Sequence, residues 1–258
     1  MNVFKELYQY REMIFSLIRK DLRGKYKGSF LGFLWTFVNP LLQLVVYTVV
    51  FSVFFKTNID KFYIFLFVGL VPWLFFNTSL VGGSTSIVSQ ENLIKKIYFP
   101  RQVLPISFVT SGFVNMLLTF IVIFAVLIFS RFGINLKVLW VLPFVMIVEY
   151  LFALGISMIT SALTVYFRDL EYILGIVAMC WMYMTPILYD IETIPEKFRP
   201  LIYLNPMTGV IQCYREILYY KRMPELSLLG SAFIIGIVFL VLGFFIFGKL
   251  QKRFVEEL

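Results

Sequence analysis

Residues 102–130, QVLPISFVTSGFVNMLLTFIVIFAVLIFS, run without a charged side chain between Arg101 and Arg131. A helix needs about 20 apolar residues to cross the hydrocarbon of a bilayer, and a charge near its centre is strongly disfavoured. This stretch therefore reads as a helix whose solvent is lipid. Five more stretches share its character: 28–55, 62–90, 138–167, 172–189 and 226–248, of which only 138–167 carries a charge, Glu149. The end of the second, GGSTS at 82–86, is polar and is expected to approach water. Charged residues fill the gaps. The pattern predicts an all-α integral membrane protein with six transmembrane helices.

Composition agrees. Hydrophobic residues make up 60% of the 258-residue chain and charged residues 15%, against roughly 45–50% and 25% in soluble domains. No polar block of domain size is present, so 1–258 reads as one membrane unit. The first residues carry Lys5, Glu6, Arg11 and Glu12 and do not resemble a cleaved signal.

Residues 1–27 divide into two faces at helical spacing. Phe4, Leu7, Tyr8, Phe15, Ile18 and Leu22 lie on one, and Lys5, Gln9, Glu12, Ser16, Arg19, Lys20 and Arg23 on the other. That is the pattern of an interfacial amphipathic helix, with a helix packed on a partner protein as the alternative. Arg19, Lys20, Arg23, Lys25 and Lys27 could meet an anionic pyrophosphate-lipid headgroup or anchor to acidic lipids.

Net charge is +8. In so apolar a chain this excess reflects topology rather than nucleic-acid binding. With both termini in the cytoplasm and six spans, 14 Lys and Arg fall inside and nine outside, five of these in the long 190–225 connection. Within that connection 200–214 is uncharged but too short to cross, and contains Pro206 and Gly209. It suits a re-entrant or interfacial helix pair.

Absence of His removes His-based acid–base chemistry and most zinc sites. Cys180 and Cys213 have no metal or redox spacing and read as packing residues. No G-x-x-x-x-G-K-[ST] phosphate loop and no D-x-D pair occurs, which argues against an ATPase or a metal-dependent glycosyltransferase.

The sharpest local signal is ENLIKKIYFPR at 91–101. Tyr98 and Phe99 would be unfavourable as idle water-facing residues. They fit a short helix seated in a partner's groove, with Glu91, Lys95, Lys96 and Arg101 at a polar rim, or a surface loop dipping into headgroups. RKDLRGKYKGSFLG at 19–32, Leu34-Trp35, Asn39-Pro40, the 92–101 segment and YLNPMT at 203–208 resemble, in order, the transmembrane subunit of type-2 polysaccharide ABC exporters. These export O-antigen polysaccharides and teichoic acids across the bacterial cytoplasmic membrane.

That resemblance implies a homodimer docked on two separate ATP-binding subunits, which hold the ATP and Mg. It implies that 91–101 is the coupling helix and that 190–225 is the outer re-entrant region. Arg168-Asp169-Leu170-Glu171 would be a second coupling element, or simply a helix cap. It also suggests a sugar path lined by aromatics, with Trp35, Phe37, Tyr47, Phe51, Trp181 and Tyr183 as candidates, although interface belts and helix packing use the same residues. Glu149, the one charge inside a span, could face the pathway, pair with a polar group of a neighbouring helix (Arg131 and Lys137 lie near the same outer side) or lie within reach of water. The same architecture could export drugs or lipids instead. A membrane-embedded enzyme and a proton-driven carrier are the remaining alternatives, and a carrier would need more than one such carboxylate.

Overall fold

The computed structural model describes residues 3–24, 28, 30–51 and 59–257. Lys25, Lys27 and the end of the first expected span lie outside the described residues. All regular structure among the described residues is helical.

Helices α1 (Val3–Gln9) and α2 (Arg11–Gly24) are separated by a turn at Tyr10. Helix α3 (Trp35–Val49) contains Pro40, and α4 (Phe62–Asn77) continues through a π-turn at Thr78–Gly82. A short α5 (Glu91–Lys96) precedes α6 (Val103–Phe129). A single turn, α7 (Leu136–Leu139), leads into α8 (Leu142–Tyr166), followed by α9 (Leu170–Met184). The 190–225 connection holds α10 (Arg199–Tyr203) and α11 (Pro206–Leu218). Helix α12 (Leu226–Leu250) and a last turn, α13 (Phe254–Glu257), complete the chain.

Four segments are long and apolar enough to cross a membrane: Phe62–Gly82, Val103–Phe129, Leu136–Tyr166 and Leu226–Arg253. They match four of the expected spans. Helices α3 and α9 are apolar but only 15 residues each, about 22 Å of helix. For α9 the cause is local. Pro186 supplies no amide hydrogen, and the chain turns extended at Thr185.

Two expectations about faces change. The apolar residues of the amino-terminal helices divide between two surfaces. Leu7, Tyr10, Met13, Ile14 and Leu17 pack on the core, with α2 lying along α6, while Tyr8 and Phe15 stay exposed. The 82–86 segment is largely buried within the chain. Gly83, Ser84 and Ser86 are buried, and Ser84 and Thr85 return their hydroxyls to the carbonyls of Val81 and Gly82 at 2.6 and 3.1 Å. Back-bonding of this kind lets a polar run stay buried.

The central packing joins α8 to α12 and α4 to α6, with α11 wedged among α4, α8 and α12. Pro206 begins α11, and the Asn205 side chain caps it by accepting from the Met207 amide at 3.0 Å. At one end of the molecule the α2 side chain Lys20 reaches Gln90 at 3.3 Å, and Arg101 donates to the Gln251 carbonyl. Both chain termini therefore meet the 91–101 segment at the same end. Residues 59–61, 130–137 and 190–225 gather at the opposite end, where Lys221 donates to the Phe132 carbonyl.

Candidate functional site

The 91–101 segment is helical only to Lys96, after which Ile97 is extended. Lys95 holds Glu91 at 2.6 Å, four residues apart on one helical face. That hydrogen bond and the ammonium charge keep the Glu91 carboxyl below its usual range. Arg168, from the turn before α9, adds to the pull. Two stretches distant in sequence, 91–101 and 168–171, thus form one charged surface.

Tyr98 and Phe99 separate. Tyr98 is 87% exposed, whereas Phe99 is 4% exposed and part of the apolar core. Phe99 therefore cannot enter a partner's groove, because its ring already anchors the segment from beneath. The Tyr10 hydroxyl lies 3.5 Å from the Tyr98 carbonyl. The Arg101 guanidinium lies 5.9 Å from the ring of Phe254, which is itself buried against Phe247 at 5.5 Å. Lys95, Lys96 and Ile97 project outward with Tyr98. The result is a rigid base carrying an exposed rim, with Arg168 and Asp169 exposed beside it.

The aromatic candidates also divide. The Trp181 indole donates to Asn205 Oδ1 at 2.7 Å, and its ring meets Phe76 edge-on at 5.0 Å. Asn205 in turn donates to Thr185 Oγ1 at 2.8 Å. Trp181 therefore ties the broken end of α9 to the start of α11. Phe51 packs on Phe62 at 5.9 Å, and Trp35 walls a small polar cavity with Asn39 and Asn115. Phe37 is half-buried. Tyr47 lines a groove of about 470 Å³ bounded by α3, α4 and Met182 of α9, and Tyr183 is exposed. Leu42, Val45, Val46 and Val49 on α3, and Ile173, Ile176 and Val177 on α9, are exposed apolar residues.

Glu149 is fully buried and accepts a 2.6 Å hydrogen bond from the Tyr214 hydroxyl, while its other oxygen has no partner. Its polar partner thus comes from a neighbouring segment, α11. Neither Arg131 nor Lys137 forms an ion pair with Glu149 among the described residues.

Arg215 escaped the sequence reading, which counted it as one more basic residue of the outer connection. It is fully buried. Its guanidinium donates to the carbonyls of Pro186 and Ile187, the latter at 2.7 Å, and lies 3.5 Å from the Phe65 ring centroid. The signal was faint but present: Arg215 directly follows the uncharged 200–214 stretch. The two carbonyls belong to the segment that Pro186 unwinds. Buried non-helical backbone needs internal partners, and Arg215 supplies them.

Arg215→Lys should therefore lower the melting midpoint in detergent. A lysine keeps the charge but cannot span both carbonyls as a planar fork. One buried acceptor left unpaired costs about 1–3 kcal/mol. Arg222→Lys, at the exposed ion pair with Glu216, should change the midpoint little. Equal midpoints for Arg215→Lys and the unmodified chain would refute the bridging role.

Residues 12–219 match the ABC-2 type transporter family. An O-antigen export system permease protein of Myxococcus xanthus is 36% identical over 261 residues, covering all of both chains. A protein of the same description from Klebsiella pneumoniae is 36% identical over 247 residues, 96% of this chain and 95% of its own. The capsule polysaccharide export inner-membrane protein of Neisseria meningitidis is 18% identical over 251 residues, 94% of this chain and 92% of its own.

Proposed function

This chain belongs to the ABC-2 type transporter family, and we propose that it is the membrane-spanning subunit of an ATP-driven exporter of lipid-linked polysaccharide. The observation that carries this reading is the end-to-end match, at 36% identity, to an O-antigen export permease. The chain is a transport component, not an enzyme. It has no phosphate loop, so ATP and Mg belong to a separate ATP-binding subunit.

In this reading two copies of the chain meet two ATP-binding subunits in the bacterial cytoplasmic membrane. Six crossings, with α3 and α9 as the two short ones, put both termini in the cytoplasm beside 91–101. The shared end of the two termini supports that arrangement. The exposed rim Lys95, Lys96 and Tyr98, with Arg168 and Asp169, receives nucleotide-driven motion, and Phe99 and Arg101 transmit it to α6 and the carboxyl-terminal end of α12. The exposed apolar faces of α3 and α9, together with Tyr47 and Tyr183, border the polymer path between two copies. Aromatic rings suit that role because sugar C–H faces stack on them weakly and repeatedly. Arg19, Lys20 and Arg23, with Lys25 and Lys27, receive the anionic headgroup on the cytoplasmic side.

Deletion of the gene tests the reading. Cells lacking this chain should lose surface polysaccharide and accumulate lipid-linked polymer inside, and the tagged chain should co-purify with an ATP-binding subunit. Unchanged surface polysaccharide in the deletion strain would overturn it.

A further inference from the structure

A sizeable cavity lies away from the α3 and α9 faces. It measures about 700 Å³ and opens to the surface between α11, α12 and the 190–192 turn, at the end opposite the 91–101 segment. Gly209, Gln212 and Glu216 give one wall from a single face of α11, and Leu228, Ser231 and Ile235 give the facing wall from α12. The volume falls in the range of small-molecule sites, about 300–1,000 Å³.

The polar groups of the walls are of two kinds. Some are committed to each other: Tyr220 donates to Asp190 at 2.7 Å, and Arg222 pairs with Glu216. These hold the shape. Others are available. Gln212 is only 6% exposed, yet its amide nitrogen has no hydrogen-bond partner. A buried donor without a partner is unfavourable by about 1–3 kcal/mol, so it calls for a ligand. The carboxylates of Glu192 and Glu225 line the cavity and form no ion pair with a described residue, although Glu225 accepts a long hydrogen bond from the Ser227 hydroxyl at 3.5 Å.

The ligand class follows from this set. Four carboxylates against two arginines disfavour an anion such as a phosphate. No cluster of His, Cys, Asp and Glu among the described residues could hold a metal ion. An acyl chain would leave Gln212 unpaired. A polyhydroxyl ring suits this lining: its hydroxyls donate to Glu192 and Glu225, and a rotation of the sealed Gln212 amide brings its N–H toward them, with Tyr203 and Tyr220 at the wall.

We infer that this cavity is a saccharide subsite on the outer side, which holds a sugar residue of the polymer as it leaves the path. The inference rests on the polysaccharide-export reading and adds a place where that reading names none.

Cysteine protection tests it in cells. Ser227, exposed and on the cavity rim, is replaced by cysteine in a chain carrying Cys180→Ser; Cys213 is buried. A membrane-impermeant maleimide should label Ser227→Cys several-fold more slowly in cells making the polymer than in cells with polymer synthesis blocked. Lys137→Cys, exposed at the same end but outside the cavity, should label equally in both. Adding Gln212→Leu should restore most of the Ser227→Cys labelling rate. Equal Ser227→Cys rates with and without polymer, while polymer still reaches the surface, would overturn the subsite and leave the export reading intact. No surface polymer from cells with the unmodified chain would overturn both.

Discussion

Replacing Gly155 with valine is expected to eliminate the folded subunit. Helices α8 and α12 cross where Gly155 meets Gly243, so closely that backbone touches backbone. A Cβ at Gly155 would stand 2.4 Å from the Phe239 carbonyl carbon, and one at Gly243 would stand 2.5 Å from the Gly155 oxygen. In lipid, apolar side chains gain little by leaving one apolar surrounding for another. Close backbone approach through small residues is therefore a principal source of helix association. Overpacking costs about 1–3 kcal/mol where side chains can yield. Here rigid backbone atoms receive the clash, and the two longest-shared helices must separate.

The damage would spread, because α8 also carries Glu149 and with it the tie to Tyr214 on α11. Fluorescence-detected size exclusion in detergent checks this prediction. Gly155→Val should give aggregate or no peak. Gly248→Val is the control on the same helix, since nothing lies within 4 Å of the added carbon there. A monodisperse Gly155→Val peak of unmodified height would mean that the crossing is looser than described.

The second large effect concerns coupling and separates two adjacent aromatics. Tyr98→Ala should abolish polymer export while the subunit stays folded in the membrane. Its ring is 87% exposed, and removing such a side chain changes stability by about 0.5 kcal/mol or less. An aromatic at the heart of an interface contributes about 2 kcal/mol or more to binding. That corresponds to roughly 30-fold weaker association with the ATP-binding subunit. Phe99→Ala should act differently. Its ring is buried in this chain's own core, and truncation there costs about 3–5 kcal/mol. The expected result is a less stable subunit rather than a stable, uncoupled one. Export assays paired with membrane abundance distinguish the two. Normal export by Tyr98→Ala would remove 91–101 from the coupling role.

Legibility of the fold tracked the range of the forces involved. The 102–130 and 226–248 stretches read correctly because exclusion of charge from lipid acts on each segment independently of its neighbours. The end of α9 could be suspected from Pro186, since a missing amide hydrogen is a local property. The serine- and threonine-containing run at 82–86 misled for the opposite reason. Polarity suggested water, but the run is largely buried: the Ser84 and Thr85 hydroxyls bond to their own helix, while that of Ser86 has no partner. Phe99 and Tyr98 are neighbours of the same chemical type, so no local rule separates them.

From the sequence alone came the solvent and the helical class, and, through the motifs that carry the family resemblance, the dependence on an external motor. Solvent and class follow from composition and charge spacing, which are properties of single stretches; the motor follows from the resemblance. Tertiary structure alone decided that Arg215 is an internal clamp, that Glu149 answers to Tyr214, that two glycines let α8 and α12 touch, and that a polar cavity opens beside α11. Those facts depend on which distant groups become neighbours. Burial, pairing and close approach are relations between segments, and a linear order of residues does not contain them.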